Sequence, residues 1–204
     1  MKYTPQEYMK KLYDFLQEDT LQSWLVSIIL IVIFIKLIFF PALSWLTGTP
    51  LPIVIVESCS MYHNTNNFDS WWNANSPWYT SNNITKEEFT EFSLKNGLNK
   101  GDIVILTGSQ QYEKGDILIF TPNTEASTKN PIIHRIVKET PLATKGDNNP
   151  YQFTKSNNVQ SLDETNISQT QIIGKARLKI PILGWFKLIF FEPTRPASQR
   201  GLCN

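Results

Sequence analysis

The residues best suited to peptide-bond chemistry in this chain are two closely spaced serines and two histidines. The stretch "VESCSMYH", residues 56–63, carries Ser58 and Ser60 directly after an apolar, strand-like run. A turn at the end of a strand can expose a hydroxyl at the rim of a sheet. A serine nucleophile also needs a base within hydrogen-bond reach, and often a third group that orients the base. His63 and His134 are the two candidate bases.

His134 and Asp147 lie in two further stretches. His134 belongs to "IIHRIV", with isoleucines on its own strand face and Arg135 on the opposite face. Such a histidine is either a packed core residue or a catalytic base. The turn "TKGDNNP" contains Asp147, which either orients an imidazole or forms a tight loop. His63 is an alternative base, although close adjacency to Ser60 in sequence seldom gives in-line geometry.

Composition excludes several other functions. The chain has 204 residues, enough for one domain of ordinary size with appendages, and a formal net charge of +1 without blocks of like charge. This balance argues against a nucleic-acid-binding surface. Cys59 and Cys203 are too few for a disulfide framework, and a single bridge between them is the less favoured alternative. No zinc-binding spacing occurs, so we expect neither a metal nor another cofactor.

The longest apolar run, "WLVSIILIVIFIKLIFF", predicts a transmembrane helix. Its only charge, Lys36, is near enough to one end to snorkel, and Trp24 and Trp45 bracket the run as interfacial anchors would. A signal peptide would have a shorter apolar run and a clear small-residue cleavage site. A buried helix would show a polar stripe, which this run lacks. Pro41 is expected to end or kink the helix.

Flanking charge predicts the orientation of this helix. Basic residues precede the run, whereas none follows Lys36 until Lys86; the preceding ones are Lys2, Lys10 and Lys11. The positive-inside rule then places the N-terminus in the cytoplasm and the chain from about residue 46 onward outside. We therefore expect a cytoplasmic amphipathic lead-in over residues 1–20 and a single membrane anchor over residues 21–46.

The chain beyond the anchor is predicted to be mainly β. Apolar, β-branched runs bounded by turn residues predict strands over residues 51–57, 101–108, 114–122, 132–140 and 172–184. Residues 62–97 are expected to be an insertion. It would hold a long surface loop over 62–84 and a short helix over about 86–96, which Thr85 and Glu88 open as a capping box and Gly97 ends.

Three of these stretches together resemble the type I signal peptidases of the archaeal and endoplasmic-reticulum kind. That family has an N-terminal membrane anchor followed by Ser-x-Ser-Met, His-Arg-hydrophobic and Lys-Gly-Asp-Asn-Asn. Here the stretches read "ESCSM", "IIHRIV" and "TKGDNN", and the likeness covers most of residues 20–190 in the same order. The resemblance implies a signal-peptidase-like β catalytic domain over residues 47–192, with residues 193–204 as a C-terminal tail.

The resemblance also implies a role for each candidate residue. Ser60 would attack the carbonyl that ends the signal peptide, and His134 would take the hydroxyl proton and later give it to the leaving amine. Asp147 would orient His134 as the third member of the triad. The Ser60 backbone N–H and the Ser58 hydroxyl would form the oxyanion hole. Bacterial relatives carry lysine where His134 stands, so the histidine marks the archaeal and reticulum subtype.

Two positions depart from the family pattern. Cys59 replaces the glycine that usually separates the two serines, and Phe153 stands where relatives often carry a second aspartate. Asp163, in "SLDETN", is the alternative third member if its loop folds back toward His134.

The predicted function is a membrane-bound serine endopeptidase that removes N-terminal signal peptides. The alternatives are a membrane serine protease with a regulatory substrate and a non-catalytic membrane adaptor. Expected partners are signal-peptide-bearing preproteins, the lipid bilayer, and translocon or accessory subunits, with an archaeal cell membrane favoured over the endoplasmic reticulum. The apolar segment 180–191 is too short to span a membrane. We expect it to lie on the outer leaflet rather than to form a buried strand pair.

Overall fold

A computed structural model describes residues 4–64 and 67–203, and the chain divides into two compact units between Leu46 and Thr47. The first unit begins with α1 (Pro5–Leu16). Thr4 caps this helix through a reciprocal capping box with Glu7. Lys2, which contributes to the predicted orientation, lies outside the described residues.

From Leu21 onward the first unit is one apolar helical segment, which ends at Thr47, the first residue of the second unit. It contains α2 (Leu21–Phe34), a π-helical turn (Ile35–Phe39) and α3 (Phe40–Thr47). The segment has 27 residues, and its most apolar 18-residue window has a mean hydropathy of 2.8 and no buried residue. It is therefore long and apolar enough to cross a membrane.

Pro41 does not end this segment. The Phe40 N–H donates to the Ile35 carbonyl, five residues back, so a π turn directly precedes the proline. Such a turn is one of the local adjustments that accommodate a residue without an N–H inside a helix.

The second unit is built on a six-stranded antiparallel sheet with strand order β1-β2-β6-β3-β4-β5. The strands are β1 (Ile53–Ile55), β2 (Ile103–Thr107), β3 (Ile117–Phe120), β4 (Ile132–Glu139), β5 (Leu142–Lys145) and β6 (Ile172–Ile180). The five predicted strands are present, each with shorter bounds. Strand β5 was not predicted, because "LATK" has too few apolar residues to be recognised without its partner.

Strand β4 lies inside the sheet, between β3 and β5. His134 pairs with Leu118 on β3, and Arg135 pairs with Lys145 on β5. The apolar core on the sheet includes Leu118 and Ile136, both fully buried. Strand β4 therefore holds His134 and Arg135 in fixed backbone positions.

The insertion between β1 and β2 is helical, which corrects the predicted surface loop over 62–84. It contains α4 (Phe68–Ser81), capped by Asn67, and α5 (Lys86–Thr90), capped by Thr85. The predicted helix over 86–96 is confirmed at its start but is only five residues long. The buried aromatic side chains of the insertion form one cluster, which comprises Trp71, Trp72, Tyr79 and Phe89.

Segment 180–191 does not form the alternative strand pair. Strand β6 ends at Ile180, and α6 (Trp185–Phe191) follows. Leu188 and the Trp185 indole, which donates to the Lys100 carbonyl, attach α6 to the domain. Large apolar side chains on the other side of α6 remain exposed; they include Phe186, Ile189 and Phe190.

Candidate active site

The two serines lie on a surface turn that follows β1. The turn is held at both ends, because Val56 exchanges backbone hydrogen bonds with residues 101 and 102 and the Met61 carbonyl accepts from Leu98. Between these points Ser58 is exposed and Ser60 half-buried. Their hydroxyl oxygens are 3.2 Å apart, and either can donate to the other. The turn thus presents a pair of coupled hydroxyls at the surface.

His134 contacts a carboxylate through one ring nitrogen and faces a turn with the other. Its side chain is 4% exposed, and Nδ1 makes a short hydrogen bond to Oε1 of Glu164. The other nitrogen, Nε2, points at Gly146, since a Cβ atom on that glycine would lie only 2.7 Å from it. A side chain at residue 146 would therefore crowd Nε2, and the Asn149 amide of the same turn lies beside that point, with Nδ2 2.5 Å from the added Cβ.

Glu164 is fully buried and its carboxylate is well supplied with donors. Oε1 also accepts from the Thr144 hydroxyl at 3.2 Å, and Oε2 accepts from the Phe153 N–H at 3.0 Å. The Glu164 carbonyl accepts a hydrogen bond from the Thr144 N–H, and the Glu164 N–H donates to the Phe153 carbonyl. These donors suit an ionised carboxylate that fixes the imidazole tautomer with the proton on Nδ1.

The turn 146–149 joins the serine turn to the neighbourhood of His134. Asn148 donates its N–H to the Ser60 carbonyl at 2.8 Å and its side-chain Nδ2 to the Cys59 carbonyl at 3.1 Å. The same turn supplies Gly146 to the Nε2 face of His134. One short turn therefore lies against both the Ser60 backbone and the His134 ring, although the two residues are 74 positions apart in the sequence (134 minus 60).

Asp147 lies elsewhere, which corrects the expectation that it orients His134. Its carboxylate accepts from Arg135 Nη2 at 2.7 Å, from His63 Nε2 at 2.9 Å and from the Tyr79 hydroxyl at 3.2 Å. Adjacent strand residues point to opposite faces, and Asp147 lies with Arg135 rather than with His134. The carboxylate on His134 belongs to Glu164 instead.

The cluster around Asp147 is a buried ion pair with neutral partners. Burial alone would raise the pKa of the Asp147 carboxyl, but Arg135 and the hydrogen bond from His63 more than offset it and hold that pKa well below its usual range. Burial lowers the pKa of His63, against the opposing effect of Asp147. His63 also stacks on Trp71, with ring centroids 3.7 Å apart. Enclosed in this way, His63 is a structural residue.

Asp163, the alternative third member, caps a turn beside Glu164. Its Oδ1 accepts from the N–H and hydroxyl of Thr165 at 3.1 Å and 2.7 Å. The sequence favoured Asp147 in a different turn and offered this loop only through the alternative Asp163, which is one residue from Glu164. The available signal was the acidic pair "DE" in this loop, of which either member could fold back.

A buried lysine, Lys145, directly precedes the turn 146–149. Lys145 donates to the Gly146 carbonyl at 3.0 Å, and its ammonium lies 4.8 Å and 5.0 Å from the ring centroids of Tyr79 and Trp78. Burial lowers its pKa to about 8, although Asp147 and Glu164 act in the opposite direction. Lys145 thus adds a positive charge under the turn at neutral pH.

Cys59 and Cys203 form a disulfide, which corrects the favoured expectation that they are unpaired. Their Cα atoms are 5.6 Å apart, within the range that such bridges require. The fold brings the C-terminal tail to the serine turn, and 144 residues of sequence separation gave no sign of this. Within residues 4–64 and 67–203, no group of three or more His, Cys, Asp or Glu residues could hold a metal ion.

Comparison of the chain with models of known protein families finds no match, and comparison with curated proteins finds none. The chemistry must then be judged from the geometry. The site therefore contains a surface hydroxyl pair and an imidazole bound to a buried carboxylate, and one turn lies against both; Ser60 Oγ is hydrogen-bonded to Ser58 and the His134 ring to Glu164.

Proposed function

We propose that this chain is a membrane-bound serine endopeptidase that removes signal peptides from preproteins. The observation that carries the proposal is the buried Glu164–His134 pair, whose Nε2 side faces the turn that is hydrogen-bonded to Ser60. The ordered likeness of three sequence stretches to the archaeal and reticulum signal peptidases supplies the substrate class.

In the proposed reaction His134 acts at Nε2 while Glu164 holds Nδ1–H. Nε2 takes the Ser60 hydroxyl proton as Oγ bonds to the peptide carbonyl carbon, and the proton then passes to the amine as the C–N bond breaks. Water, deprotonated by the same nitrogen, hydrolyses the acyl-enzyme and releases Ser60. The Ser58 hydroxyl and the Ser60 N–H would bind the developing oxyanion, where one donor contributes about 3 kcal/mol.

The apolar segment would hold the site close to the membrane, where a signal peptide lies. Only a few residues connect its last residue, Thr47, to β1. A signal peptide places its apolar core in the bilayer and its cleavage site at the surface, so an enzyme tethered in this way would meet its substrate there. The charge asymmetry favours a cytoplasmic N-terminus, with Ser60 and His134 on the outer side.

The test compares a preprotein with its mature form. Purified full-length chain in detergent micelles should cut the preprotein at one bond, leave the mature protein intact, and lose this activity in Ser60→Ala. N-terminal sequencing of the product identifies the bond. Equal cleavage of both substrates would favour a protease with a different substrate, and processing that is equal in Ser60→Ala would contradict the proposed nucleophile.

A further inference from the structure

Residues 192–203 form a C-terminal tail that begins one residue before the predicted one and runs back across the domain to the serine turn. Lys100, whose side chain is 1% exposed, pairs with Glu192 at 2.8 Å and donates to the Gln199 carbonyl at 2.7 Å. The Glu192 carboxylate also accepts from the Gly201 N–H at 2.7 Å. The tail is therefore folded on itself and held to the domain before it reaches Cys203.

Two tail residues bind the residues on either side of Ser58. Arg195 donates through Nη1 to the Glu57 backbone carbonyl at 2.9 Å and through Nη2 to the Glu57 carboxylate at 2.6 Å. Cys203 is joined to Cys59 by the disulfide. The tail thus restrains Cys59 through a covalent bond and Glu57 through a charged hydrogen bond to its backbone carbonyl.

These restraints complement those from the opposite side of the serine turn. Asn148 binds the carbonyls of Cys59 and Ser60, whereas the tail binds residues 57 and 59. Glu57, Cys59 and Ser60 are therefore each bound to a distant part of the chain, either the tail or the turn 146–149. Ser58 is the exposed one, and its hydroxyl lies 3.2 Å from that of Ser60.

We propose that residues 192–203 act as a clamp that sets the position of Ser60, with Arg195 and Cys203 as its positioning residues. The inference rests on the proposed role of Ser60 as nucleophile. It also gives Cys59 a role, because the tail is joined to the serine turn through that side chain. Displacing a reacting group by about 1 Å can cost about 100-fold in rate.

The experiment releases the clamp at each point separately. Arg195→Gln removes the charged contacts to Glu57 and the 3.5 Å ion pair with Glu192 inside the tail, but it keeps the disulfide. Cys59→Ala with Cys203→Ala removes the disulfide but keeps Arg195. The matched control is Lys187→Gln, because Lys187 pairs with the Glu57 carboxylate at 3.3 Å without contacting its backbone. Each full-length variant is assayed for thermal unfolding, for kcat and KM on a preprotein, and for the rate at which a fluorophosphonate labels Ser60.

The clamp predicts a specific pattern. Arg195→Gln and the double cysteine variant should each lower both kcat and the labelling rate by about tenfold or more, with KM unchanged. Their combination should lose less than the product of the separate losses, because both act on one turn. Lys187→Gln should behave as the parent protein does. If the cysteine variant fails to fold, Arg195→Gln alone carries the test.

Other outcomes would overturn the clamp. Unchanged kcat and labelling in folded Arg195→Gln would do so, and a raised KM with unchanged kcat would make the tail a substrate contact instead. If the parent protein labels at Ser60 but cuts no preprotein, the proposed substrate is wrong and the labelling rates still decide the clamp. If Ser60 does not label at all, the nucleophile and the clamp are both contradicted.

Discussion

At the scale of single residues, two buried carboxylates have different tasks. Glu164 binds the imidazole of His134, whereas Asp147 neutralises Arg135. Arg135 is fully buried, and its remaining donors reach the backbone carbonyls of residues 93, 94 and 115. The Asp147 cluster therefore connects the helical insertion to β4 and fixes the turn on which the site depends.

Asp147→Asn should act mainly on stability. The substitution leaves the Arg135 guanidinium buried without its counter-charge, and breaking such a pair typically costs about 3–5 kcal/mol. We expect chemical denaturation to show a loss of this size, while Asp163→Asn, a change in a half-buried turn, loses far less. If Asp147→Asn keeps the stability of the parent protein but loses much of the single-turnover rate of preprotein cleavage, Asp147 has a catalytic role instead.

Lys145 should make stability depend on pH. Burial lowers its folded-state pKa from 10.5 to about 8, so between these values the unfolded chain binds more protons and stability rises with pH. Below pH 8 the cost of the buried charge is fully present. Lys145→Met removes this contribution, so the variant should gain on the parent protein at pH 7 and lose that advantage towards pH 10. Urea denaturation across this range measures the difference, and a pH-independent difference would contradict the assignment.

A site residue can be predicted from the sequence when the pattern that identifies it lies within a short stretch of chain. Ser60 and His134 could be proposed from the sequence because each lies in a short, characteristic stretch. Glu164 was not, because its contact with His134 depends on a loop that returns across 30 residues of chain. At position 153 the backbone N–H, rather than a side chain, contacts the site by donating to the Glu164 carboxylate.

At the scale of elements, the insertion shows a similar limit. Residues 62–84 are rich in Asn and Ser, which favoured a loop. However, Trp72 and Tyr79 are seven residues apart, two helical turns, and both face the aromatic cluster. That spacing was the missed signal, and the internal Pro77 obscured it further. Strands were easier to predict, because β-branched runs bounded by turn residues are local.

The exposed face of α6 should contact lipid. Phe186 and Phe190 are 79% and 77% exposed and lie four residues apart, on one side of the helix. Phe186→Asp with Phe190→Asp should reduce cleavage of a preprotein embedded in nanodiscs at least several-fold, because the face loses its affinity for the bilayer. Cleavage of a short soluble peptide in detergent should not change. The control is Val159→Asp, fully exposed on a loop, and equal effects of both changes would contradict lipid contact.

At the scale of the whole molecule, charge around the apolar segment predicts the topology. Protease added outside sealed right-side-out vesicles should degrade the sheet domain, because the basic residues lie before α2. The sequons at Asn83 and Asn166 are on exposed residues and would then face any glycosylation machinery outside. Full protection of the domain, with cleavage only after the vesicles are opened, would reverse the orientation.

The central claim is that Ser60, His134 and Glu164 form one catalytic unit, and single-turnover cleavage of a preprotein tests it most directly. Glu164→Gln preserves shape but removes the charge that holds the imidazole, so the rate should fall about 10⁴-fold, as in a serine-protease triad. Ser60→Ala and His134→Ala should be at least as impaired, and Asp163→Asn should stay near the parent rate. Thermal unfolding confirms that each variant is folded. A folded Glu164→Gln variant that keeps its rate within about tenfold, well short of a triad member's loss, would contradict the account.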